Sequence, residues 1–157
     1  MTPALGFGQS RPPMPAACPC GGGAYSSCCG PLIAGERLAA TAEQLMRSRY
    51  SAFALAAKDP QAIEHLLRTH PEPGEKPATR RRALQASARE LQWIGLRVLE
   101  CQQGGPRDQH GTVLFEARWR DRDHREGVLR ECSSFGRGET SEWLYLHAVS
   151  LETESGS

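Results

Sequence analysis

Apolar residues recur at helical spacing in the middle of the chain and at alternating spacing after it. Met46, Tyr50, Phe53 and Ala57 step by four, three and four, which predicts a helix over Ala42–Ala57 with one apolar face. Thr41 stands where an N-cap belongs, and Gln44 completes a capping box. Arg47, Arg49 and Ser51 fall off the apolar face. Asp59-Pro60 is a second start signal, and Ile63, Leu66 and Leu67 give that short helix a buried side. It should stop near Thr69, because His70 precedes Pro71 and is pushed out of helical geometry. Pro71–Pro77 reads as a loop, and a third short helix runs from a Thr79 cap to about Arg89, with Arg80, Arg81 and Arg82 on a solvated face.

From Leu91 the period changes to two. Strands are expected over Leu91–Cys101, Thr112–Arg120, Val128–Phe135 and Glu142–Val149, with turns between. In the first, Ile94, Leu96 and Val98 share one face, and Trp93, Gly95 and Leu99 the other. In the second, Val113, Phe115, Ala117 and Trp119 face the core. Helices followed by closely spaced strands predict an α+β fold, with helices packed on one face of a curved antiparallel sheet. The expected organisation is a disordered leader over 1–17, a cysteine knuckle over 18–31, the α+β domain over 32–151 and a frayed tail over 152–157.

Charge changes this picture little. Nineteen Lys and Arg against eighteen Asp and Glu give no electrostatic argument for nucleic acid or a membrane surface. No apolar run approaches the roughly 20 residues of a membrane helix. The leader has no apolar core of the kind a secretory signal carries. Met14, close before Cys18, is a possible alternative start, to be tested by intact mass. Thiol-rich sequence without a signal points to a reducing cytoplasm.

The cysteines change it most. Four of the six, Cys18, Cys20, Cys28 and Cys29, fall within twelve residues, as two tight pairs around Gly21-Gly22-Gly23. Four thiolates on one short loop repel unless a cation neutralises them, and a tetrahedral Zn²⁺ does so while contributing folding free energy. Iron suits the same ligands. Two further readings stay open: a pair of disulfides, which fits a secreted framework better, and a redox switch that ejects the metal on oxidation. Cys101 and Cys132 lie on expected strands and default to core packing. None of the five histidines has ligand spacing to another, and His110 and His124 fall in turns. His147, on the fourth strand with Trp143 and Tyr145, could pair with Glu131 as a catalytic acid and base if that face lines a pocket. A rim or core histidine is the alternative. Tyr50 and Tyr145 would share such a pocket. Arg47 and Arg49 read as surface charges or as anchors for the knuckle or an anionic ligand. Trp93, Trp119 and Trp143 read as core.

The Cys18–Pro31 stretch resembles the SEC-C motif, the metal-binding module of the SecA translocation motor's tail. Together with Thr41-Ala42-Glu43-Gln44-Leu45-Met46-Arg47-Ser48-Arg49-Tyr50-Ser51-Ala52-Phe53, it is similar to the YchJ-like proteins, a family without an established reaction. Looser matches continue at Trp93-Ile94-Gly95-Leu96, Phe115–Arg118, Glu131–Phe135 and Trp143-Leu144-Tyr145. The resemblance implies a cone like that of nuclear transport factor 2. Three features depart from the family. The Cys20–Cys28 spacer is one residue shorter, the usual lysines beside the last cysteines are replaced by Ala24, Ser26 and Ser27, and Thr69 stands before His70-Pro71 where a Trp is common. No second SEC-C motif follows at the C-terminal end. Without lysines, a four-thiolate zinc site carries a local charge of about −2, which argues against an acidic partner such as the SecB chaperone. The leading expectation is therefore a cytoplasmic, non-enzymatic zinc protein whose knuckle docks a protein partner, linked to export or chaperone machinery. A small-ligand-binding or enzymatic cone and a redox-sensing zinc switch are the alternatives.

Overall fold

The computed structural model describes residues 13–155. A single 3-10 turn at Tyr25–Ser27 and a short helix α1 (Gly30–Ile33) close the cysteine loop. They are followed by α2 (Ala42–Leu55), α3 (Pro60–Arg68) and α4 (Pro77–Glu90). Four antiparallel strands, β1 (Leu91–Gln103), β2 (His110–Asp121), β3 (Glu126–Arg137) and β4 (Trp143–Ser155), form one sheet in chain order. This is the expected α+β arrangement. None of the described helices is long and apolar enough to cross a membrane.

The helix starts follow their caps. Thr41 Oγ1 accepts from Gln44 N at 3.1 Å, and an Asp59 carboxylate oxygen accepts from Gln61 N at 3.0 Å. The Gln44 side chain reaches back one residue further than a capping box requires, accepting from Ala40 N at 2.9 Å. Thr41→Ala should cost about 1 kcal/mol and lower the melting temperature by roughly 2–4 °C in a thermal scan. α4 begins before Thr79, at Pro77, whose missing N–H and fixed φ suit a first turn.

The core joins α2 to one face of the sheet. Leu45, Met46, Tyr50 and Ala52 meet Val113, Phe115, Ala117, Phe135 and Trp143, all buried. Ala57 does not join them. The helix ends at Leu55, and it is Ala56 that packs with Ile63 and Leu67, leaving Ala57 exposed. Leu32 and Ile33 are buried on α1.

The sheet departs from simple alternation at one-residue shifts, at Ile94 and Leu99 in β1 and at Leu146 and Val149 in β4. In β1 the register with β2 jumps at Ile94, so that Trp93 opposes Trp119 and Leu96 opposes Ala117. Residues directly opposite share a face, so the extra residue carries Trp93 to the core side, away from the face that strict alternation gave it. In β4 the register jumps at Leu146, so that Tyr145 opposes Phe135 while His147 opposes Ser134. The strands also run longer than expected. Residues 152–155, expected as tail, pair with β3, Ser155 opposite Gly127. The last leader residues are ordered as well: Ala17 bridges to Ala24, and Met14 packs on the core. The rest of the expected leader, 1–12, and the last two residues lie outside the described residues.

Candidate metal centre and pocket

The knuckle reverses on backbone hydrogen bonds. Cys18 N donates to Gly23 O at 2.7 Å, Gly21 N to Cys18 O at 3.0 Å, and Tyr25 N to Ala16 O at 3.0 Å. The reversal needs left-handed backbone at Gly21 (φ 84°) and Gly23 (φ 120°), which glycine adopts without cost. Gly22 has a different reason: a Cβ there would lie 3.0 Å from Cys28 Sγ and 3.2 Å from Cys20 Sγ. The short spacer thus works because Gly22, beside two of the sulfurs, has no side chain.

This loop brings the four sulfurs of Cys18, Cys20, Cys28 and Cys29 within 4.8 Å of one another. Cys20 and Cys28 are 3.5 Å apart, Cys28 and Cys29 4.0 Å. A tetrahedron with metal–sulfur bonds of about 2.3 Å has edges of about 3.8 Å, so the spacing fits one zinc-sized ion. All six cysteines are free thiols, and these separations are far beyond the roughly 2 Å of a disulfide. Cys18, Cys20 and Cys29 are buried, and Cys28 is partly exposed.

The electrostatics of the cluster point the same way. Donation from Cys20 and Cys29 holds the Cys18 thiol well below its ordinary value. Burial, then Cys20 and Cys18, pushes Cys28 up to about 12. Cys29, donor to Cys18 and Cys20 and deeply buried, is pushed far up. Cys18 takes negative charge, and the protons held on Cys28 and Cys29 stabilise it. A bound cation does the work of those protons for all four at once. The donor set therefore fits a metal ion and closes its coordination.

The cluster is fastened to α2. Ser51 Oγ and Cys18 Sγ lie 3.4 Å apart, and Arg47 donates to Cys20 O at 3.1 Å while pairing with Glu43 at 2.9 Å. Arg47 is thus an anchor of the knuckle. Ser51, off the apolar face by spacing, is fully buried because the knuckle covers it.

Arg49 turns the other way, into a second site. A pocket of about 200 Å³ opens between α2 and the sheet, lined in part by Arg49, Tyr50, Trp93, Glu131, Ser133 and Tyr145. Arg49 donates to Leu66 O at 3.0 Å and to Thr69 Oγ1 at 2.6 Å. Its guanidinium lies 4.9 Å from the Tyr145 ring centre. Thr69, standing where the family often has a Trp, is thus part of this anchor. Burial lowers the Arg49 pKa to about 10, which leaves it charged at neutral pH. Glu131 Oε2 accepts from Ser133 Oγ at 2.6 Å and from Tyr145 OH at 2.9 Å.

The structure does not bring His147 to Glu131. The bulge at Leu146 turns His147 to the opposite face, where it is exposed. Glu131, Tyr50 and Tyr145 do share the pocket. Cys101 is not core either: it is exposed beside Glu43, 3.4 Å from its Oε1, and burial of its sulfur with that carboxylate raises its pKa to about 11. Cys132 is only partly buried. His110 and His124 are exposed, as expected. Ser133 went unnoticed in the sequence, although Glu131 and Ser133 stand two apart on a strand, the spacing of one face. His65 also went unplaced. It is buried on α3, where Arg68 donates to its Nδ1 at 3.1 Å. Its Nε2 therefore carries the proton and donates to Ser48 Oγ at 2.8 Å, which donates on to Leu45 O at 2.8 Å.

Comparison with known proteins agrees with this architecture. A family model described as YchJ, middle NTF2-like domain, matches residues 41–148. A UPF0225 protein of Ralstonia nicotianae is 44% identical over 140 residues, covering 83% of this chain and 89% of its own. A UPF0225 protein of Chromobacterium violaceum is 40% identical over 144 residues, covering 90% and 98%. The solution structure of a SEC-C motif containing protein from Rhodopseudomonas palustris aligns with a TM-score of 0.71 at 32% identity, over 87% of this chain and 99% of that one.

Proposed function

We propose, for a chain that belongs to the YchJ-like, UPF0225 family, that it is a zinc protein whose metal holds a docking surface in place. The ion is held by Cys18, Cys20, Cys28 and Cys29 and is structural. The observation that carries this reading is the closed set of four sulfurs, all within 4.8 Å of one another, which leaves no open position for substrate. Zinc is the natural occupant of a four-thiolate tetrahedron, and iron is the competitor that elemental analysis would separate from it.

The docking role follows from what the ion stabilises. Gly21–Ala24, Ser26 and Ser27 form an exposed outer face, while Tyr25 is buried beneath. A four-thiolate zinc site carries a charge of about −2, so this face suits a basic protein surface better than an acidic one. The SEC-C resemblance makes the export and chaperone machinery the first place to seek it, in the reducing cytoplasm where free thiols persist. Affinity capture with the wild-type chain and with Cys28→Ser tests the role. Partners held by the wild type and lost by the variant, with the sheet intact by circular dichroism, are expected. Identical partner sets would sink the docking role.

A further inference from the structure

We infer that the pocket between α2 and the sheet is a binding site for a small, uncharged aromatic molecule with one hydrogen-bond donor, of the phenol type, and that Glu131 receives the donor. The size sets the first limit. Apolar cavities of about 150 Å³ take up benzene, and this one measures about 200 Å³, room for one ring with a short substituent. The walls set the second. Rings of Tyr50, Phe53, Trp93, Phe115, Phe135 and Tyr145 line it, surfaces that favour edge-on and offset contacts with a flat guest.

The polar groups select within that class. Both donors to Glu131, Ser133 Oγ and Tyr145 OH, end on Oε2. Among the described residues no donor reaches Oε1, so the carboxylate keeps acceptor capacity beside an apolar space. Ser133 and Tyr145 also fix its rotamer, so little entropy is lost when a ligand donates to it. Arg49 stands in the same wall, its Nη1 committed to Leu66 and Thr69. A cationic guest would face this guanidinium, and an anionic guest would face Glu131. A neutral guest with an O–H or N–H avoids both penalties. No catalytic step follows from this arrangement, since His147, the one candidate base on β4, lies on the other face.

The test uses the metal-loaded full-length chain and three probes built on one benzene ring: p-cresol, toluene and benzoate, titrated by heteronuclear NMR. p-Cresol is expected to bind about tenfold or more tightly than toluene, the worth of a hydrogen bond to a charged group. Benzoate should be weakest. Glu131→Gln should lower p-cresol affinity about tenfold and leave toluene unchanged. Ala117→Leu, which adds bulk to the pocket wall, should abolish both; if that variant loses the native amide spectrum, Glu131→Gln alone decides. Equal affinities for p-cresol and toluene, tightest binding of benzoate, or no binding of p-cresol at saturation would each overturn the inference.

Discussion

Cys29→Ser is expected to lose stoichiometric metal and to melt about 10 °C or more below the wild type. Cys29 is the most buried of the four ligands, at 1% exposure, and its carbonyl also accepts from Ile33 N at 2.9 Å, starting α1. Removing one sulfur leaves three, which cannot close a tetrahedron without water entering a buried site. Structural zinc contributes apparent free energies of roughly 10–16 kcal/mol in isolated fingers. Less is at stake here, because α2 keeps its own packing against Val113, Phe115, Ala117 and Phe135 when the knuckle that shares this core opens. A loss of about 3–5 kcal/mol corresponds to roughly 6–20 °C for a chain of this size. A strong chelator at neutral pH should reproduce the shift in the wild type and have no further effect on the variant. Elemental analysis with paired thermal scans checks both. One equivalent of metal retained by Cys29→Ser at an unchanged melting temperature would remove the basis for the metal centre.

The second large effect is a loss of stability in mild acid that originates at His65. Burial, then the charges of Arg68 and Arg49, lowers its pKa from 6.5 to about 3. In the unfolded chain the ring binds a proton below about pH 6.5; in the folded chain it stays neutral until about pH 3. The unfolded state therefore holds more protons in that window, and stability falls as the pH falls through it. The slope approaches 1.4 kcal/mol per pH unit, so on the order of 2 kcal/mol is lost between pH 7 and 5. His65→Gln cannot take up the proton. The variant should be the less stable at pH 7, where the Arg68–His65–Ser48 chain of hydrogen bonds is lost, and its deficit should shrink by about 2 kcal/mol at pH 5. Urea midpoints for both proteins at the two pH values give the answer. Acid loss of the metal affects both chains alike and cancels in the comparison. A deficit that stays constant with pH would mean that His65 is protonated in the folded state.

His65 also illustrates why polar burial is hard to read from sequence. Its ring sits with Leu66 and Leu67 on a helix whose apolar residues were legible, yet nothing local says that α1 will bring Leu32 O and Ile33 O to within 3.0 Å of Arg68. That contact fixes Arg68, Arg68 fixes the tautomer, and the tautomer satisfies Ser48. The first and last links join residues far apart in the chain. Arg49 is a similar case. By period it leaves the apolar face of α2, and it becomes a pocket wall only because Thr69 and Tyr145 arrive from two other elements.

What the sequence by itself determined is local chemistry: the four clustered cysteines, the glycine run that lets them meet, the Thr41 and Asp59 caps, and the clean alternation of β2. These depend on neighbours within a few residues, and their signals survive in one dimension. What only the tertiary structure decided is which side of the sheet a residue faces once strands pair. The bulges at Ile94 and Leu146 each insert one residue into a pairing of period two. One brought Trp93 to the pocket, and the other removed His147 from it. A bulge is a property of two strands in register, so no pattern within either strand contains it.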